Sequence, residues 1–226
     1  MTVVAACVCG SDVAVVTLMV VGTLATAAGW FAVARHRASI WVVFGVTNGM
    51  LGVAALATRD VPLSPDVAAG TAALAGLAVG LALYAGTVAF VALVRRMPAF
   101  AKDVTDLYGR GTGLTLPVAL VLASGVAAPG EELFWRGLFQ QHIAQGSGRA
   151  VAAVATWLVY VAANAVSRSL PITAAAIVAG GVWVLLAAWT GGVLAALLCH
   201  VAWTGLMLAF PPPGGVRPSD AAQEVA

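Results

Sequence analysis

The sequence predicts an all-α protein, a polytopic transmembrane helical bundle of about seven spans. Of its 226 residues, 62% are hydrophobic and only 9% are charged, and the mean hydropathy is +0.99. A soluble domain carries roughly 25% charged residues. A globular core could not hide this much apolar side chain, so lipid must be the solvent for most of it. The apolar residues also fall into runs close to the ~20 residues that cross a bilayer. The net charge of +2 and the lack of a basic, aromatic-rich stripe argue against a nucleic-acid partner. The expected partners are the lipid bilayer and a membrane-embedded or amphiphilic peptide or protein.

The first span is expected near Val13–Ala34, closed by Arg35-His36-Arg37, and the second near Ile40–Ala57, closed by Thr58-Arg59-Asp60. A Pro-containing loop leads to the third, near Val67–Val94, which ends at Arg95-Arg96. The polar connector from Met97 to Gly113 has Phe100, Val104 and Leu107 at helical spacing, which suits a helix on the membrane surface. The fourth apolar run, Leu114–Ala128, meets Pro129-Gly130, where a break is expected, and a second helical piece covers Glu131–Ile143. The fifth, sixth and seventh spans are expected near Val151–Val166, Ile172–Trp189 and Val193–Phe210. Pro211-Pro-Pro-Gly-Gly then opens a polar tail, expected to be disordered.

This divides the chain into N-terminal spans with their connector (1–112), a core that holds the functional residues (113–210) and the tail (211–226). Gly76 and Gly80, at GxxxG spacing, suit close helix packing. Lys and Arg placement favours an outside N-terminus and a cytoplasmic C-terminus in a multi-pass cell-membrane protein. In that orientation Arg35, Arg37, Arg95, Arg96, Lys102, Arg110, Arg168 and Arg217 are cytoplasmic. One difficulty follows: a straight fourth span ending at Ala128 sets Glu131 near the outer end and Asn164 near the inner end. Cys7, Cys9 and Cys199 are odd in number and read as structural thiols.

Two of the three glutamates, Glu131 and Glu132, are adjacent within an apolar run. Carboxylates inside a membrane are costly, by at least ~2.5 kcal/mol, and usually mark function. Glu132 and Arg136 are four apart with the acid first, the favourable order for a helical ion pair. Glu131 points about 100° away with no partner on its own helix, as suits a general base. The bland alternative is that both acids begin a helix after Pro-Gly. His200 lies in mid-span with Thr204 one turn on, a pair that could equally be packed and structural. Trp157, Tyr160 and Asn164 share a face of the fifth span, where Asn164 could serve only as a helix–helix hydrogen-bonding residue. Zinc is disfavoured, for there is no His-Glu-x-x-His and one intramembrane histidine is a thin ligand set. No cofactor is expected, and no Gly-x-Ser-x-Gly elbow supports a serine nucleophile.

Glu131-Glu132-x-x-x-Arg136, a polar residue late in the next span, and His200 after Trp189-Thr-Gly-Gly-Val together resemble the CAAX protease and bacteriocin-processing (CPBP or Abi) family. Its members, the type II CAAX prenyl endopeptidase-like proteins, are multi-span α-helical intramembrane proteases. The resemblance covers Leu114 to Phe210. It implies that Glu131 activates a water for attack on a peptide carbonyl, and that Glu132 and Arg136 hold the helix. Later positions would bind water or the oxyanion. In the family's second motif Tyr160 stands at the aromatic position, in a supporting role, and Asn164 stands where histidine is usual. In the third, His200 is kept and Thr204 stands where asparagine is usual. The resemblance thus implies an endopeptidase with Glu131, Asn164, His200 and Thr204 at its site. The departures raise a second reading, a catalytically weak or inert relative that binds and protects a membrane partner. A third is a small transporter with Glu131 as its proton site, against which the lack of duplicated halves counts.

Overall fold

Backbone in hydrocarbon must satisfy its N–H and C=O groups internally, and apolar runs of this length do so as helices. The structure, a computed structural model, describes residues 2–36, 38–109 and 114–215, with side chains in 12–35, 38–106 and 114–215. It is all-α, with no strand among the described residues. Four helices precede the core region: α1 (Thr2–His36), α2 (Ile40–Thr58), α3 (Ala69–Val94) and the short α4 (Pro98–Gly109). Next come α5 (Leu116–Ser147), α6 (Arg149–Ala165), α7 (Leu170–Thr190) and α8 (Leu194–Ala209). Five of these, α1, α2, α3, α5 and α7, are long and apolar enough to cross a membrane, while α6 and α8 are shorter apolar helices. The tail from 216 onward and Arg37, Arg110 and Arg217 lie outside the described residues, as do the side chains of Cys7, Cys9, His36 and Leu107.

The loops gather at two ends. At one, Asp66 N donates to Thr190 O (2.7 Å), Val193 N donates to Pro62 O (3.2 Å), and Arg149 pairs with Asp66. At the other, Leu170 N donates to Asp103 of α4 (2.9 Å), and Tyr84 Oη donates to Phe210 O (2.8 Å). Phe100 and Val104 of α4 are buried against Val91, so α4 packs on the bundle through its apolar face. Large residues such as Val53, Leu74, Leu93 and Leu158 point outward, as a lipid-facing surface requires. Small residues let the backbones close up: a Cβ on Gly76 would meet the backbone of Ala195, and one on Gly80 that of Cys199. These glycines seat α3 on α8, which also buries Cys199.

The expected break at Pro129-Gly130 does not occur. Helix α5 runs through it, widened into two π segments, Val121–Ala127 and Leu133–Phe139. Proline removes an N–H and crowds the carbonyl four residues back. A π segment just upstream changes that register (Ala128 N donates to Ala123 O), which is how the helix continues through the proline. Continuity also removes the difficulty over levels. Glu131 lies seventeen residues before Gly148 and Asn164 sixteen after it, so an antiparallel α5–α6 pair sets them at one height.

Candidate active site

Glu131 and Glu132 follow Pro129-Gly130 on α5, and successive helical residues diverge. The two carboxylates therefore enter different surroundings. Glu132 is fully buried and pairs with Arg136, also fully buried, at 3.2 Å. The guanidinium donates from Nη2 to Gly180 O (3.3 Å) and lies over the rings of Tyr160 (4.4 Å) and Trp183 (5.2 Å). Gly180 has no Cβ to collide with the Tyr160 ring, which makes room for this stack. The same Glu132 Oε1 lies 2.8 Å from His200 Nδ1. An acceptor-only carboxylate requires the ring proton at Nδ1. The imidazole is stacked on Trp183, with centroids 3.7 Å apart and planes at 18°.

Glu131 faces the other way and finds its partners on other helices. Tyr160 Oη donates to its Oε1 (2.5 Å), and Asn48 Nδ2 of α2 donates to its Oε2 (2.8 Å). Tyr160 thus touches both Glu131 and Arg136. Asn164 accepts from Trp30 Nε1 of α1 (2.7 Å) at Oδ1 and donates from Nδ2 to Tyr160 O (2.8 Å). Both bonds fix the orientation of the amide, since an indole N–H can only donate and a carbonyl can only accept.

The four residues expected at the site, Glu131, Asn164, His200 and Thr204, line one cavity of about 180 Å³. Its other walls are mostly apolar, among them Trp30, Phe44, Ile172 and Met207. Glu132 and Arg136 stand behind it. Asn48 and Trp30 also line the cavity, and sequence reasoning missed both. For Asn48 the signal was available: a lone amide side chain in the middle of an apolar span.

Residues 113–206 match the family model described as type II CAAX prenyl endopeptidase Rce1-like. This stretch, under half of the chain, is similar to an Rce1-like domain. No curated protein and no solved structure matches it. Rce1-like domains form a protease family, and with its apolar helices this is a membrane protein. Asn48 and Trp30 lie outside the Rce1-like domain, so the cavity is built partly by helices that precede it.

Glu131, Glu132 and His200 offer ligand atoms within 4.8 Å of one another, close enough to consider a metal ion. As arranged they fit one poorly. The Glu132 oxygen near His200 already accepts from Arg136, whose fixed positive charge opposes a second cation there. His200 Nδ1 is turned to the same oxygen, and each Glu131 oxygen holds a protein donor.

Proposed function

We propose that this protein is a glutamate-dependent endopeptidase that hydrolyses a peptide bond within the bilayer. The observation that carries the reading is the shared cavity, with Glu131 and His200 offering polar atoms within 4.8 Å and Thr204 one turn beyond. In this mechanism Glu131 takes a proton from a water whose oxygen attacks the peptide carbonyl carbon. The developing oxyanion accepts hydrogen bonds from a protonated His200, through Nε2–H, and from the Thr204 hydroxyl. Glu132, on the far side of the ring, stabilises the imidazolium. The proton held by Glu131 then passes to the amine nitrogen as the C–N bond breaks. Mostly apolar walls suit a membrane-embedded or amphiphilic peptide substrate. The Lys and Arg distribution supports an outside N-terminus and a cytoplasmic C-terminus.

The test is cleavage of membrane peptides by purified protein, with Glu131→Ala and His200→Ala as controls. Both variants should lose activity, and cleavage by both at the wild-type level refutes the mechanism.

One observation favours the second reading, an inert relative that binds and protects a membrane partner. The Asn164 carbonyl oxygen is held by Trp30 and one of its two amide hydrogens by Tyr160 O. Position 164 therefore offers the reaction at most one N–H and one oxygen lone pair, with no group that can carry a proton.

A further inference from the structure

Asn48 is the one residue from outside the Rce1-like domain that hydrogen-bonds Glu131 among the described residues. It reaches the carboxylate because α2 and α5 meet almost backbone to backbone. Gly45, Gly49 and Gly52 of α2 lie against Leu122, Val126 and Gly130 of α5. A Cβ on Gly52 would stand 2.6 Å from Gly130 Cα, and one on Gly49 would stand 2.9 Å from Val126 Cγ1. On the α5 side, Gly130 faces the backbone carbonyl of Asn48 itself.

The amide of Asn48 is 1% exposed, and Nδ2 must be the atom facing Glu131, because a carboxylate accepts. That fixes Oδ1 as well. Oδ1 is buried with no hydrogen-bond partner among the described residues, and Asn48 lines the cavity. A buried acceptor without a donor calls for one. The attacking water has two O–H groups, and Glu131 can take only one. Asn164 Oδ1 already accepts from Trp30, whereas Asn48 Oδ1 has both lone pairs unused among the described residues.

We propose that Asn48 binds the attacking water. Its Oδ1 accepts one water O–H while Glu131 accepts the other. As the water oxygen bonds to the peptide carbonyl carbon, the proton facing Glu131 transfers to the carboxylate. The second O–H stays hydrogen-bonded to Asn48 and aims the oxygen. When the C–N bond breaks, the proton on Glu131 leaves with the amine. This rests on Glu131 being the base, as in the proposed function. It adds a water ligand supplied by α2.

The test reconstitutes the full chain in liposomes with a quenched-fluorescence apolar peptide and compares wild type, Glu131→Gln, Asn48→Leu and Asn48→Asp. Asn48→Leu should lower kcat on the order of 10²-fold and leave KM within about twofold. Asn48→Asp should regain activity as the pH is lowered, because a protonated carboxyl both donates to Glu131 and accepts from water. A purely structural role for Asn48 predicts that activity and melting temperature fall and recover together, whereas a water ligand predicts a lower kcat at an unchanged melting temperature. If Glu131→Gln is inactive while Asn48→Leu keeps the wild-type kcat, the inference fails and the proposed function stands. If wild type does not cleave, or Glu131→Gln cleaves as well as wild type, the proposed function fails and takes the inference with it. Should Asn48→Leu not fold, Asn48→Asp decides: a flat, low pH profile, or activity that only tracks the melting temperature, overturns the proposal, and acid-side recovery of kcat at an unchanged melting temperature supports it.

Discussion

His200 Nδ1 and Glu132 Oε1 meet at 2.8 Å, on the oxygen that Arg136 also holds at 3.2 Å. One buried atom thereby links two helices, α5 and α8, and couples a fixed charge to an imidazole on the cavity wall. The adjacent Glu131 is partly buried, and among the described residues its hydrogen-bond partners, Asn48 and Tyr160, are neutral. Two neighbouring glutamates therefore differ in what their loss does.

Glu132→Ala leaves Arg136 charged and buried without its counter-ion. Breaking such a pair costs about 3–5 kcal/mol. The expected outcome is a large fall in thermal stability in detergent. Glu131→Ala removes two hydrogen bonds from neutral donors and should cost no more than about 1–3 kcal/mol, while ending cleavage. Comparing melting curves with activity for the two variants checks the division.

Asn164→His tests whether the altered second motif limits the reaction. An imidazole at this height can still accept from Trp30 through one nitrogen and offer the other to the cavity. General acid–base assistance contributes on the order of 10²–10⁴-fold, and cleavage by the variant should rise by at least about 10-fold. No cleavage by either form favours the binding role.

Gly130→Ala forces a methyl group into the backbone of Asn48. Neither backbone can yield without moving a helix, and overpacking of this kind costs about 1–3 kcal/mol. The variant should melt earlier and lose activity beyond what its stability explains, because the Asn48–Glu131 bond lengthens. Gly86→Ala, where a Cβ meets open space, is the control and should behave as wild type.

The supporting pair could be read from the chain alone because Glu132 and Arg136 are one helical turn apart on a single helix. Helical spacing likewise tied Thr204 to His200. What could not be read arises between helices. Asn48 and Glu131 are 83 residues apart, and Trp30 and Asn164 are 134 apart. No periodicity reports which faces of two helices meet. The Pro129-Gly130 dipeptide misled for a local reason: proline does break an α-helical ladder, but a π segment beside it absorbs the lost bond. The glycines of α2 read individually as small residues. Only the fold reveals that they clear a path for α5.

The expected orientation has a direct check. In a background with Cys7, Cys9 and Cys199 replaced, Met97→Cys should react with an impermeant maleimide only from the cytoplasmic side. Leu63→Cys should react only from outside. Both native side chains are exposed, at 57% and 56%. The reverse pattern inverts the topology.

The continuity of α5 has a consequence for what can be cut. Glu131 lies about 26 Å of helical rise from Gly148, near the middle of α5. A peptide arriving from water must push extended, hydrogen-bond-hungry backbone through most of a leaflet to reach it. A segment already resident in the bilayer arrives at that height and has only to unwind beside the cavity. Under the proposed mechanism, the position of one carboxylate along one unbroken helix would act as a ruler, selecting substrates by how far they reach and how readily they uncoil.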